Sequence, residues 1–263
     1  MYSLDRNVSV SLEKIMSAVY NKNCKEMIKI RNFIKFISFT VMISILATCF
    51  SACSRNESSV KNIKVGDTFI YGAYEQDNDK SNGAEKIEWL VLAKEKDRAL
   101  LISKYALDCQ AFCSDETGTS WKDSSLRNWL NTTFIQNAFN DTEKGSIITT
   151  EIESEENNKE ITKDKIFVLD NDKAEKYFDS DISRRCSPTA YAKQRGVLCP
   201  EDLQDVEFDE DVKNTCCYWL RSPGFHSDMV SIIDHEGTIY ERGQFIDEEI
   251  AVRPVIWLNI SNA

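Results

Sequence analysis

The chain has 263 residues, room for one large or two small domains, and its 42% hydrophobic and 10% aromatic content exclude a disordered polymer. Its net charge is −11, and the first 52 residues hold seven Lys/Arg against three Asp/Glu, which leaves the remainder near −15. So acidic a domain repels nucleic acid and anionic membrane, which excludes a nucleic-acid partner.

Lys29, Arg31 and Lys35 precede an uncharged run from Phe36 to Ala52, and Cys53 follows. A basic stretch, a short apolar stretch and small residues before a break form the pattern of an export signal. The run of 17 residues lies at the low edge of what crosses a bilayer, and an uncleaved anchor is the alternative reading. Ser51-Ala-Cys53 resembles a bacterial lipobox, with Phe50 where leucine is usual, whereas Cys49 follows Leu46-Ala-Thr48, a poor end for cleavage. The chain is therefore read as an extension over 1–26 ahead of a start at Met27, a lipoprotein signal peptide over 27–52, a lipidated tether over 53–64 and a single ectodomain over 65–260. This organisation predicts a protein at the cell membrane, lipid-anchored through Cys53 on the extracytoplasmic face.

Within the ectodomain, Val65 to Tyr74 alternates apolar and polar residues around two glycines, a strand with a bend. Ile87–Ala93 and Ala99–Ser103 flank a charged tip and predict a hairpin. Ser120 or Asp123 is expected to cap a helix over Ser124–Leu130, followed by a short helix over Phe134–Phe139 and a third from Asp141 to about Ile148. Residues 151–164 are mostly polar and read as a surface loop. Lys165–Leu169 predicts a strand, and Asp170 or Asn171 caps a helix to Phe178. Ser187-Pro188 opens another helix that stops at Gly196, and the acid-rich Glu201–Asp211 reads as a loop. Cys216–Gly224 and Ala251–Ile260 predict apolar strands, with a hairpin from Met229 to Tyr240 turning at His235-Glu-Gly237 between them. Strands at both ends with short helices between argue for one α+β domain.

Candidate chemistry is sparse. The only histidines are His226, in the loop after Ser222-Pro-Gly-Phe225, and His235, at the hairpin tip. Six cysteines follow Cys53: Cys109, Cys113, Cys186, Cys199, Cys216 and Cys217. In an exported domain they predict a bridge among Cys109, Cys113, Cys186 and Cys199, or else free buried thiols. Asp77, Asp79, Ser81 and Glu88 have the spacing of calcium ligands, but Asn82 replaces the required glycine, so no metal is expected. No cofactor is expected either. Arg221 and Arg253 are charges set inside apolar strands. Each is expected to pair with a buried acid or with backbone carbonyls; the alternative is that both grip a ligand, with Trp219, Ser222 and His226 completing the site.

The ordered set of Phe69-Ile-Tyr-Gly-Ala-Tyr-Glu-Gln76, Ile87-Glu-Trp-Leu-Val-Leu92, Leu100 to Cys109, Trp121 with Leu126-Arg-Asn-Trp-Leu-Asn131, Pro188-Thr-Ala-Tyr-Ala-Lys193, Tyr218-Trp-Leu-Arg-Ser-Pro-Gly224 and Ala251-Val-Arg-Pro-Val-Ile-Trp257 resembles an uncharacterised bacterial family, domain of unknown function 6273. The resemblance covers roughly residues 65–260. It implies a secreted or lipid-anchored surface protein and no established activity. Trp-Leu-Arg-Ser paired with Val-Arg-Pro is also distantly similar to the C-type-lectin-like core shared with formylglycine-generating enzymes. Together these readings predict a monomeric binding or structural module for a glycan or a cell-surface protein. The rival is an exported hydrolase or thiol-redox enzyme using Cys199 or Cys216 with His226.

Overall fold

The computed structural model describes residues 63–114, 120–153, 160–203 and 208–261. The first 62 residues, with the stretch read as an export signal and Cys53, lie outside them. Among the described residues no helix is long and apolar enough to cross a membrane.

Strands β1 (Thr68–Tyr74), β2 (Glu85–Lys94) and β3 (Arg98–Ser103) form an antiparallel meander. Alternation in β2 buries Ile87, Trp89 and Val91 on one face. The expected bend in β1 lies at Gly72, where the pairing register slips between Ile70 and Ala73. Its φ of +71° suits glycine, and an added Cβ would stand 2.6 Å from both Ala138 O and the Phe139 ring. The chain then passes to a second sheet through β4 (Asp108–Ala111).

The helices are short, as expected, but their starts move. α1 (Ser125–Trp129) is capped by Ser124, whose Oγ accepts from Arg127 N, in place of Ser120 or Asp123. A π-helical turn (Leu130–Phe134) runs on into α2 (Ile135–Ala138). α3 (Asp141–Ser146) begins with a capping box made by Asn140 and Glu143.

The largest departure is the polar stretch read as a loop. It contains β5 (Thr150–Glu153) and β6 (Ile161–Asp164), paired antiparallel as a sheet of their own. Ile152, Thr162 and Asp164 point inward, so two of the three buried positions are polar and the usual apolar alternation is hidden. Asp164 is satisfied there by Trp121 Nε1 at 3.0 Å, Arg127 Nε at 2.7 Å and Thr162 Oγ1 at 2.6 Å.

The predicted strand after it shrinks to β7 (Ile166–Phe167). α4 (Asn171–Tyr177) is capped by Asp170 as expected. A helix the sequence reading lacked, α5 (Asp181–Arg184), starts at Ser180. α6 (Ala190–Gln194) is capped by Thr189 rather than Ser187, because Pro188 is already engaged in a bridge with Ala106.

The last five strands are β8 (Tyr218–Pro223), β9 (Met229–Ile233), β10 (Ile239–Phe245), β11 (Glu249–Val252) and β12 (Val255–Asn259). One sheet has the order β1-β2-β3-β12-β7 and the other β10-β9-β8-β11-β4. The stretch Ala251–Ile260 thus serves two sheets, broken at Arg253-Pro254. Proline lacks an N–H to continue the ladder, and its carbonyl instead accepts from Ser103 N at 2.9 Å. The α+β architecture read from the sequence is the architecture found.

Candidate ligand-binding cleft

Between β5 and the first sheet lies a cleft of about 530 Å³. All four residues of β5 line it, with Leu100, Phe167 and Trp257 from the first sheet, Leu169 and Asp170 between β7 and α4, Asp172, Lys173 and Tyr177 from α4, and Arg221 from β8. Volume and mixed lining match those of small-ligand sites.

The end wall is built by β8 gripping the start of α4. Arg221 N donates to Leu169 O at 2.9 Å, and Asn171 N donates to Ser222 Oγ at 2.9 Å. Asp170, held between, uses Oδ1 to accept from Lys173 N at 2.6 Å and cap α4. Its Oδ2 accepts from Arg221 Nη2 in an ion pair whose side chains are each 7% exposed. Arg221 Nε is buried without a hydrogen-bond partner. A buried N–H left unpaired costs free energy that an acceptor from a ligand can return.

Arg253 reads differently. Its partners are carbonyls and rings: Nε donates to Ser103 O at 2.9 Å, and Nη1 to Arg184 O at 3.1 Å and Tyr218 Oη at 3.2 Å. The guanidinium carbon lies 5.2 Å from the Tyr218 ring centre and 5.5 Å from that of Phe178. Arg253 therefore takes the carbonyl option and Arg221 the acid option, both as sequence alone allows. Cys186 and Cys216 lie beside Arg253. Burial pushes the Cys186 thiol up, yet the Cys216 thiol, the Arg253 guanidinium and the Ala106 amide bring it below its ordinary 9.0, to about 7. Cys109, Cys186, Cys199, Cys216 and Cys217 are free thiols, the second of the two sequence expectations, and all but Cys217 are buried.

Of the five residues in the alternative ligand site, Arg221 and Ser222 sit together at the start of α4. Trp219 is buried and donates Nε1 to Gln110 O at 2.8 Å; Ser222 is buried against α4; Arg253 sits in the interior. His226 stands exposed, edge-on to Phe225 at 5.0 Å. Arg221 is the member that reaches the cleft. In the calcium-like stretch, Glu88 pairs with Lys104 at 2.8 Å instead. Glu75, Asp77 and Glu85 do approach within 4.8 Å of one another. Desolvation and the charges of Glu85 and Asp77 raise the Glu75 carboxyl, while Gln76 N and Asn82 Nδ2 donate to Glu85 and Asp77.

Residues 96–260 match the model of a protein family described as Domain of unknown function (DUF6273). The chain belongs to the DUF6273 family. No curated protein and no solved structure matches it significantly. The DUF6273 match spans β3 to β12 and so contains every residue lining the cleft, though it starts short of the Phe69 and Ile87 stretches that the resemblance included. The DUF6273 stretch Leu126–Asn131 proves to be cleft framework. Arg127 holds Asp164 at the end of β6, and Asn131 Oδ1 accepts from Lys165 N at 2.9 Å and Ile166 N at 3.1 Å. Asn131 Nδ2 donates to Ile166 O at 2.8 Å, so one amide fixes β7 beside the hairpin. Sequence reasoning missed β5 altogether; the signal was Arg127 and Trp121, two side chains that need a buried acceptor.

Proposed function

We propose that the chain is a ligand-binding module, carried on the outer face of a membrane by a lipid on Cys53, that takes part of a glycan or of a surface protein into the cleft beside β5. The observation that supports binding is the cleft itself, lined in part by the buried ion pair of Asp170 and Arg221. The rival, a hydrolase or thiol enzyme, asks for a thiol against His226. His226 is exposed beside Phe225, while Cys199 and Cys216 are buried, which favours binding over thiol chemistry.

The test is a mixed glycan and peptide panel probed with the full chain in detergent and with two blocking variants, Thr150→Trp and Lys173→Trp. Thr150 is half-buried and Lys173 exposed, so an indole at either position fills the cleft without entering the core. A panel member that binds wild type and loses binding in both variants supports the reading. Binding that survives both, or no binding by any member, overturns it. The anchor is checked separately by intact mass. A mature protein starting at Cys53 with added lipid is expected, and Cys53→Ala is expected to leave the precursor unprocessed; a mature chain that begins elsewhere defeats the anchor.

A further inference from the structure

The floor and the mouth of the cleft differ in chemistry. Leu100, Phe167 and Leu169 make a buried apolar floor, whereas Glu151, Glu153, Asp172 and Lys173 stand exposed at the mouth. Asp170 is neutralised by Arg221, so the exposed lining charges are three carboxylates against one ammonium. Lys163, outside the lining, approaches Glu151 at 3.5 Å, but both are largely exposed and screened. Glu153 and Asp172 have no ion-pair partner among the described residues. The mouth therefore attracts cations, in a domain that is acidic throughout.

The aromatic residues argue against a sugar platform. The Arg98 guanidinium lies 4.4 Å over the Trp257 ring, and Lys176 Nζ 5.2 Å over Tyr177. A pyranose stacks on a free aromatic face. What the cleft does offer along its length is β5, paired with β6 on one side and with no strand on the other among the described residues. An open strand edge accepts an extended backbone.

We infer that the occupant of the cleft is an extended peptide segment bearing lysine or arginine, its basic side chain held by Glu153 and Asp172 at the mouth and its backbone laid along β5. This rests on the binding reading above and narrows it from glycan or protein to basic peptide. Binding energy comes from the apolar floor and main-chain hydrogen bonds; the carboxylates select the charge of the side chain.

The experiment measures fluorescence anisotropy of labelled, acetylated and amidated short peptides of alternating valine and threonine against the full chain in detergent. The central residue is lysine, norleucine or glutamate. The lysine peptide is expected to bind best, and norleucine and the Glu153→Gln/Asp172→Asn double variant are each expected to weaken it roughly fivefold. Raising the salt concentration is expected to weaken the lysine peptide more than norleucine. Norleucine binding as tightly as lysine, glutamate binding more tightly, or a double variant that binds like wild type overturns the basic-peptide assignment. Both substitutions lie at exposed positions, and a thermal melt confirms that the variant is folded. Should a glycan or neutral peptide bind and be displaced by Thr150→Trp, the binding module stands and the basic-peptide assignment fails. Should no probe be displaced by cleft filling, both fall.

Discussion

Arg221→Ala is expected to destabilise the protein by about 3 to 5 kcal/mol, the scale for breaking a buried ion pair from one side. The loss comes from what remains. Asp170, 5% exposed, would keep its carboxylate in the apolar wall with only the Lys173 amide to answer it. Neutralising the abandoned acid should therefore restore part of the loss. In Arg221→Met/Asp170→Asn no charge is left buried, and asparagine still caps α4. Urea unfolding is expected to rank wild type first, the double variant second and Arg221→Ala last. A double variant no more stable than Arg221→Ala would show that the stranded carboxylate is not the cause. Because Arg221 also lines the cleft, ligand binding is read only under conditions where each variant is folded.

Arg253→Ala is expected to cost about 3 kcal/mol by a different route. No acid is stranded. Ser103 O loses the Arg253 donor, Arg184 O is left with Tyr218 Oη alone, and a guanidinium-sized void opens between Tyr218 and Phe178. The variant has a second signature through Cys186, whose thiol is held at about 7. A thiol with a lowered folded pKa contributes stability above its ordinary value and loses it as the pH falls through the folded value. Cys186 therefore makes wild-type stability rise from about pH 7 to its ordinary 9.0, and removing the guanidinium should shrink that rise. Urea midpoints across this range measure both effects. Unchanged stability would mean that the interior repacks around the missing arginine.

Much of the framework was legible because it obeys local rules. Trp89 between Ile87 and Val91 marks a strand by simple alternation, and Asp170 ahead of an apolar-spaced segment marks a helix start. The two buried arginines were legible as exceptions, since a charge in an apolar strand needs an internal partner. The cleft was not legible, for two physical reasons. Its lining comes from β3, β5, β7, α4, β8 and β12, which only tertiary pairing brings together. One of its walls is a hairpin whose inward residues include Thr162 and Asp164, so the wall imitates a solvated loop. Asp170 illustrates the limit in one residue. Its role as a cap is local and could be read; its bond to Arg221, 51 residues away, could not.

The position of β12 also sets an order in time. It is the last strand in chain order among the described residues, yet it sits inside the first sheet between β3 and β7, with Val255 facing Ile102 and Asn259 facing Arg98. While the ribosome is still working toward Asn259, the apolar β3 has a bare edge and β7 has no neighbour in its sheet. Such distant pairing makes folding slow, and here the ladder cannot close until Asn259 has been made. The first sheet is thus obliged to remain open until β12 arrives. Until then the bare edge of β3 is a template for pairing with another chain.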